Sequence, residues 1–250
     1  MSINLLNDKI SEEQINIRYS DIDFDKSLKP FSLLNFFQDI ASDNAEKLGF
    51  GYSFIYPKNL MWVLLKYRIE FNDYPSDIQK LILKTEPRGC NKLFAYRDFE
   101  LKSANHTIAR ASSIWTLVDF NNKSLTNIEN VIVDKPYMTK HKPTENDLKF
   151  EKIPHLEIID YEKDFEVRYN DIDVNMHANN GNYIIWALEP LSHDFRINHK
   201  LKNIDMIFKK EAKLGDKITS QIQLINNISI HLLKNSETGD DLCTLKCEWI

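Results

Sequence analysis

The heptapeptide Ile17-Arg-Tyr-Ser-Asp-Ile-Asp23 returns as Val167-Arg-Tyr-Asn-Asp-Ile-Asp173, and this recurrence at an offset of 150 residues constrains the fold more than any other feature of the chain. Each copy precedes an amphipathic helical pattern: Phe31, Leu34, Phe37, Ala41, Ala45 and Leu48 in the first, Tyr183, Ile184, Ala187 and Leu188 in the second. Strand-like runs then follow in parallel, 66–77, 79–86, 94–102 and 107–119 in one half and 205–216, 218–224, 228–235 and 242–250 in the other, with Trp115 and Trp249 in matching strands. From Arg18 to Asp77 is 59 residues and from Arg168 to Asp216 is 48, so the first copy carries 11 extra, which fall around 49–59. The segment 134–155, with Pro136, Pro143 and Pro154, reads as a linker between a unit 1–133 and a unit 156–250. Each half is therefore an α+β unit whose antiparallel sheet must bury its apolar face on its own helix. Two copies fall short of the three or more that a solenoid needs, so the halves are expected to pair as a pseudo-dimer.

Composition removes several classes of function. The 250 residues contain only 6 glycines and neither GxGxxG nor GxxxxGK[ST], which excludes the glycine-rich phosphate cradles. The longest apolar stretch, around 60–65, is far short of the roughly 20 residues needed to cross a bilayer. A polar, acidic start lacks the look of a signal peptide, so a cytoplasmic location is expected. Three cysteines, Cys90, Cys243 and Cys247, with no CxxC, point to thiols rather than a zinc or redox site. Cys243 and Cys247 are in phase with Leu245 and Trp249 on a strand and are expected in the core, whereas Cys90 falls in a Pro87-Arg-Gly-Cys turn. A net charge of -5 disfavours nucleic acid as a partner.

The densest polar cluster, Tyr169-Asn-Asp-Ile-Asp-Val-Asn-Met-His-Ala-Asn-Asn180, lies where a strand gives way to a helix. Capping accounts for Asn179 and Asn180 as well as function does, with Asn180 a good cap candidate. Asp173, Asn175 and His177 alternate, and in an extended segment that spacing puts three side chains on one side, which favours a site.

These residues resemble the acyl-acyl carrier protein thioesterases of plants and bacteria. The likeness is carried by Asp171-Ile-Asp-Val-Asn-Met-His-Ala-Asn-Asn-Gly-Asn-Tyr-Ile-Ile-Trp-Ala-Leu-Glu189 and, in the first half, by Met61-Trp-Val-Leu-Leu-Lys, the Tyr74-Pro-Ser-Asp turn, Phe94-Ala-Tyr-Arg-Asp-Phe99 and Ala111-Ser-Ser-Ile-Trp-Thr-Leu-Val-Asp119. It runs from about residue 14 to the end. The resemblance implies a tandem (double) hotdog fold, two antiparallel sheets each wrapped around a long helix. It also implies a catalytic set of Asp173, Asn175, His177 and, on a later strand, Glu211. Where many plant members have a cysteine after the glutamate, this chain has Ala212, which argues against a thiol nucleophile.

The implied reaction is hydrolysis of a fatty acyl-acyl carrier protein by water. His177 and Glu211 share the acid and base work, Asp173 orients them, Asn175 binds the water or the carbonyl, and N–H groups around Asn180 to Asn182 hold the oxyanion. The first copy keeps Asp23 but has Asp25 and Ser27 in place of the asparagine and histidine. It is therefore expected to enclose the acyl chain, through Leu33, Phe36, Phe37, Ile40 and Trp62, while Asn180 completes the substrate contacts. The partner implied is an acidic acyl carrier protein bearing a 4'-phosphopantetheine-linked acyl chain, received by Lys200, Lys202, Lys209, Lys210 and Lys213 with His199. Neither metal nor organic cofactor is expected. Oligomeric state stays open, a homodimer included. The competing readings are an acyl-coenzyme A thioesterase and a catalytically silent lipid-binding hotdog protein. For Glu211, residue pattern alone favours a plain surface carboxylate beside Lys209 and Lys213, and only the resemblance raises it to a catalytic candidate.

Overall fold

A computed structural model describes residues 9–74, 80–103, 106–135 and 139–250. Asp77 and Pro136 therefore lie outside the described residues. The chain divides into two compact units: the first runs to Lys66 and takes in Asn72–Lys149, and the second comprises Tyr67–Phe71 and Phe150–Ile250. Residues 134–149 thus cluster with the first unit.

The first unit contains β1 (Ser11–Asn16), α1 (Pro30–Lys47), α2 (Tyr52–Ile55), β2 (Leu60–Phe71, its last five residues belonging to the second unit), β3 (Lys80–Cys90), β4 (Ala95–Ser103), β5 (His106–Asp119), β6 (Ser124–Thr126) and α3 (Ile128–Val131). Its strands lie in the order β1-β3-β4-β5-β2, with β6 added to β5. Pro30 opens α1 with φ already set for a helix. The helix buries Leu33, Leu34, Phe37, Ile40, Ala41 and Ala45 at spacings of three and four, packing on β1 and β3. Phe37 stacks on Phe99 of β4 with ring centroids 4.6 Å apart. The extra residues 49–59 fold into α2 and the 3₁₀ turn Tyr56–Lys58, and Phe50, Ile55 and Leu60 build a satellite core there with Leu117 and Ile128. Cys90 is not in a turn. β3 runs on through it by way of an irregularity between Pro87 and Gly89, where Gly89 takes φ 92° and a Cβ would meet the Thr139 carbonyl at 2.3 Å.

The second unit contains β7 (Tyr161–Glu166), α4 (Asn180–Leu188), α5 (His193–Asn198), β8 (Leu201–Phe208), β9 (Lys217–Ile225), β10 (Ile228–Asn235) and β11 (Asp241–Trp249). Its order is β8-β11-β10-β9-β7, every neighbouring pair antiparallel. Two expectations need correction. The helix is short, 9 residues, because Pro190 has no N–H to offer the Trp186 carbonyl. β8 ends at Phe208, so Glu211 stands in the following loop rather than on a strand.

Cys243 and Cys247 are fully buried on β11, as their phase predicted. Beside them a directed chain of hydrogen bonds crosses the core. The Ala187 carbonyl can only accept, so His231 Nδ1 carries the hydrogen of their 2.8 Å bond. Nε2 then accepts from Ser229 Oγ at 2.7 Å, and that oxygen accepts the Trp249 indole N–H at 2.8 Å. Burial holds His231 neutral and lowers its pKa to about 4. An unfolded histidine titrates near 6.5, so the folded state binds the proton less well than the unfolded one. The stabilisation is complete above pH 6.5 and is lost as the pH falls toward 4, roughly 3 kcal/mol in all. Imidazole NMR at pH 5.5 should find His231 still neutral in the folded chain; a midpoint near 6.5 would refute this.

Among the described residues no helix is long and apolar enough to cross a membrane.

Candidate active site

The repeated heptapeptide builds the same turn twice. In each copy the Arg main-chain N–H donates to the Asp three residues on, Arg18 to Asp21 at 2.9 Å and Arg168 to Asp171 at 2.8 Å, around a 3₁₀ turn. Short bridges pair Ile22 with Leu28 and Ile172 with Ala178. Lys26 and Met176 occupy the left-handed region, with φ 65° and 63°. The segment expected to be extended is therefore a tight turn, and alternation does not put Asp173, Asn175 and His177 on one face.

Asp173 is the hub of the second turn. Its N–H donates to the His177 carbonyl at 2.8 Å and its carbonyl accepts from Met176 at 3.1 Å. Its Oδ1 accepts the N–H of Asn175 at 2.8 Å and that of His177 at 3.4 Å. It thus orients His177 through the backbone rather than through the ring. Asn175 lies exposed at the tip of the turn. The first copy closes the same loop with Ser27 donating to Asp25.

His177 and Glu211 do meet, Nε2 to Oε2 at 3.1 Å. The imidazole is 15% exposed and the carboxylate 44%, so Glu211 is the member that water reaches. A carboxylate only accepts, which places the hydrogen of this contact on Nε2. Nδ1 is buried and has no partner among the described residues. The pair is thus a solvent-facing carboxylate backed by a mostly buried ring that is bonded through Nε2 alone among the described residues.

The loop that carries Glu211 is fixed by Ala212. Its carbonyl accepts the Ala178 N–H at 2.8 Å and its N–H donates to the Tyr183 hydroxyl at 2.9 Å. Ala212 is fully buried. Sequence reading took Tyr183 only as part of an apolar stripe. The signal available was a phenol at a core position, which needs a hydrogen-bond partner.

The helix start also differs from expectation. Asn179, not Asn180, is the cap, its side chain accepting the Gly181 N–H at 2.8 Å. Asn182 N–H is taken by the Asn179 carbonyl at 2.9 Å. Two of the three N–H groups expected to hold an oxyanion are thus already bonded. Asn180 opens α4, half-buried. The expected basic run is largely neutralised, since Lys202 pairs with Glu248 at 2.8 Å, Lys209 with Asp241 at 2.9 Å and Lys210 with Asp240 at 2.6 Å.

Of the residues expected around an acyl chain, Leu33, Phe37 and Ile40 are buried in the helix–sheet core of the first unit, while Phe36 and Trp62 are half-buried. The Trp62 indole N–H donates to the Phe50 carbonyl at 3.0 Å.

Against this geometry, residues 8–136 match the acyl-ACP thioesterase N-terminal domain and residues 155–250 the acyl-ACP thioesterase C-terminal domain. The chain belongs to the acyl-ACP thioesterase family. Among curated relatives, an oleoyl-acyl carrier protein thioesterase of Arabidopsis thaliana is 23% identical, over 95% of this chain and 76% of its own length. A palmitoyl-acyl carrier protein thioesterase of the same plant is 27% identical, over 81% of this chain and 52% of its own length. The chain thus spans between about half and three quarters of these relatives. Among solved structures, an oleoyl thioesterase (putative) of Lactobacillus plantarum superimposes with TM-score 0.86 at 22% identity, covering 96% of this chain and 95% of that one. The 12:0-ACP thioesterase of Umbellularia californica does so with TM-score 0.85 at 18% identity, covering 97% of each. These likenesses carry the fold, which is the α+β double hotdog that the resemblance implied and with which the repeat of two α+β units agrees.

Proposed function

We propose that the chain hydrolyses the thioester of a fatty acyl group borne on acyl carrier protein, releasing the free fatty acid and the carrier thiol. The observation that carries this reading is the contact of His177 with Glu211, the two residues to which the resemblance gives the acid and base work, in a chain of this family. Glu211 is the general base. Its accessible carboxylate takes a proton from water as the water oxygen bonds to the thioester carbonyl carbon. The tetrahedral intermediate then expels the sulfur, and the proton held on Glu211 passes to the departing thiolate. His177 donates Nε2–H to the carboxylate and keeps it in place through the cycle. Asp173 shapes the turn, and Asn175 at its tip is offered to the carbonyl or the water.

A thiol nucleophile finds no support. Cys243 and Cys247 are sealed in the core, where burial pushes both thiols far above the range in which a thiolate forms, and Cys90 is pushed up to about 11 by burial and by Glu129. The acyl chain is assigned to the first unit. Phe36 and Trp62 offer accessible apolar surface there, and Leu33, Phe37 and Ile40 form the wall behind them.

The test is turnover of one acyl group on two carriers, followed by a ladder of acyl lengths on the better one. Free acid should be released faster from the acyl carrier protein than from coenzyme A. A strong preference for coenzyme A overturns the choice of carrier, and no release from either overturns hydrolysis.

A further inference from the structure

Two side chains in the first turn of α4 reach the two segments that meet at the catalytic pair. Asn182 Nδ2 donates to the Asp171 carbonyl at 2.9 Å, holding the start of the turn that ends in His177. Tyr183 receives the N–H of Ala212, the residue after Glu211. Tyr183 is 2% exposed, and its ring is wedged by Trp186 at 5.4 Å and by Phe208 at 5.5 Å, edge-on, so the hydroxyl has little room to move. The Ala212 carbonyl is held on the other side by Ala178, which follows His177 directly. Residue 212 is therefore pinned to the helix and to the histidine turn at once. Glu211 hangs from that pin, in a loop that belongs to no strand.

We infer that Tyr183 is a positioning residue of the reaction: by accepting the Ala212 N–H its hydroxyl fixes the Glu211 backbone so that the carboxylate stands against His177 Nε2. The inference rests on the hydrolase reading for its kinetic consequence but on the hydrogen bonds for its geometry. Without the hydroxyl the buried Ala212 N–H has no acceptor, and the loop must shift to reach water. A displacement of about 1 Å at a catalytic group is enough to cost up to 10²-fold in rate.

The experiment is Tyr183→Phe, assayed on acyl carrier protein substrate alone and combined with Glu211→Gln. In an otherwise native chain kcat should fall about ten-fold with KM nearly unchanged, since the group acts on the base rather than on acyl binding. In the Glu211→Gln background the same change should have almost no further effect on kcat, because the residue it positions no longer works. An additive loss in the double variant, or a rise in KM alone, overturns the inference in favour of a plain packing role.

A second measurement needs no variant. The Ala212 amide of the unmodified chain should exchange with solvent as slowly as the amides of β8 and β11; rapid exchange at Ala212 overturns the proposal even if Tyr183→Phe fails to fold. Absence of hydrolysis from any acyl thioester would strike the function, while slow Ala212 exchange would still leave the pin standing.

Discussion

Replacing Glu211 with glutamine is expected to lower kcat on an acyl thioester by ~10²–10⁴-fold, the range over which a general base contributes. The amide keeps the shape and one oxygen but cannot take a proton from water, and it sits in a loop at 44% exposure where the change should leave the fold intact. KM should hardly move, because Glu211 is assigned to the reacting water and not to the acyl chain. His177→Ala should cost nearly as much, and the double variant little more than either single one, as befits two residues that act as a unit. Asn175→Ala, at the exposed tip, should cost less than either. Asp173→Asn should also be mild, since the amide oxygen can still accept the Asn175 and His177 N–H groups that shape the turn, whereas Asp173→Ala removes that acceptor. Steady-state kinetics on purified variants read all of this. A Glu211→Gln enzyme with near-native kcat would remove the carboxylate from the mechanism.

What could be read in the chain before its structure follows a physical divide. The repeat, the strand and helix order, the extra segment at 49–59 and the core cysteines are all written in periodicity, which local sequence carries directly. The Asp173 to His177 segment was misread because alternation assumes extended backbone. Here Met176 takes a left-handed conformation that nothing in its side chain announces, since Lys26 does the same in the first copy. The helix cap was misplaced by a single residue, because Asn179 and Asn180 are equally good caps by type and only the backbone decides between them. Glu211 is the deeper case. It lies 34 residues beyond His177 among lysines, and only its family position marks it. The contact with His177 depends on a loop geometry fixed through Ala212 and Tyr183, neither of which carries a charge.

Asp205→Ala should strongly destabilise the second unit. Asp205 and Arg68 are 4% and 8% exposed and meet at 2.5 Å. Around them the Arg68 guanidinium also reaches Glu70 at 3.0 Å and Glu151 at 3.6 Å, and Glu151 in turn pairs with Lys246. Asp205 additionally accepts the Glu151 N–H at 3.1 Å, tying down the chain where the second unit resumes. Arg68 lies in Tyr67–Phe71, the end of a strand from the first half that belongs to the second unit. Removing the carboxylate leaves a desolvated guanidinium facing carboxylates that are partly in water, and a backbone N–H without its acceptor. Loss of one member of a buried pair costs about 3–5 kcal/mol, because the charge left behind loses its desolvated partner and keeps only the weaker attraction of carboxylates that share their field with water. Replacing both, Arg68→Met with Asp205→Leu, should recover most of that loss, since the pair itself gains little over an apolar contact of the same shape. Urea unfolding, compared at equal slope, distinguishes the two variants. If the single variant loses less than about 1 kcal/mol, the value typical of a surface pair, the cluster is solvated and the argument from burial fails.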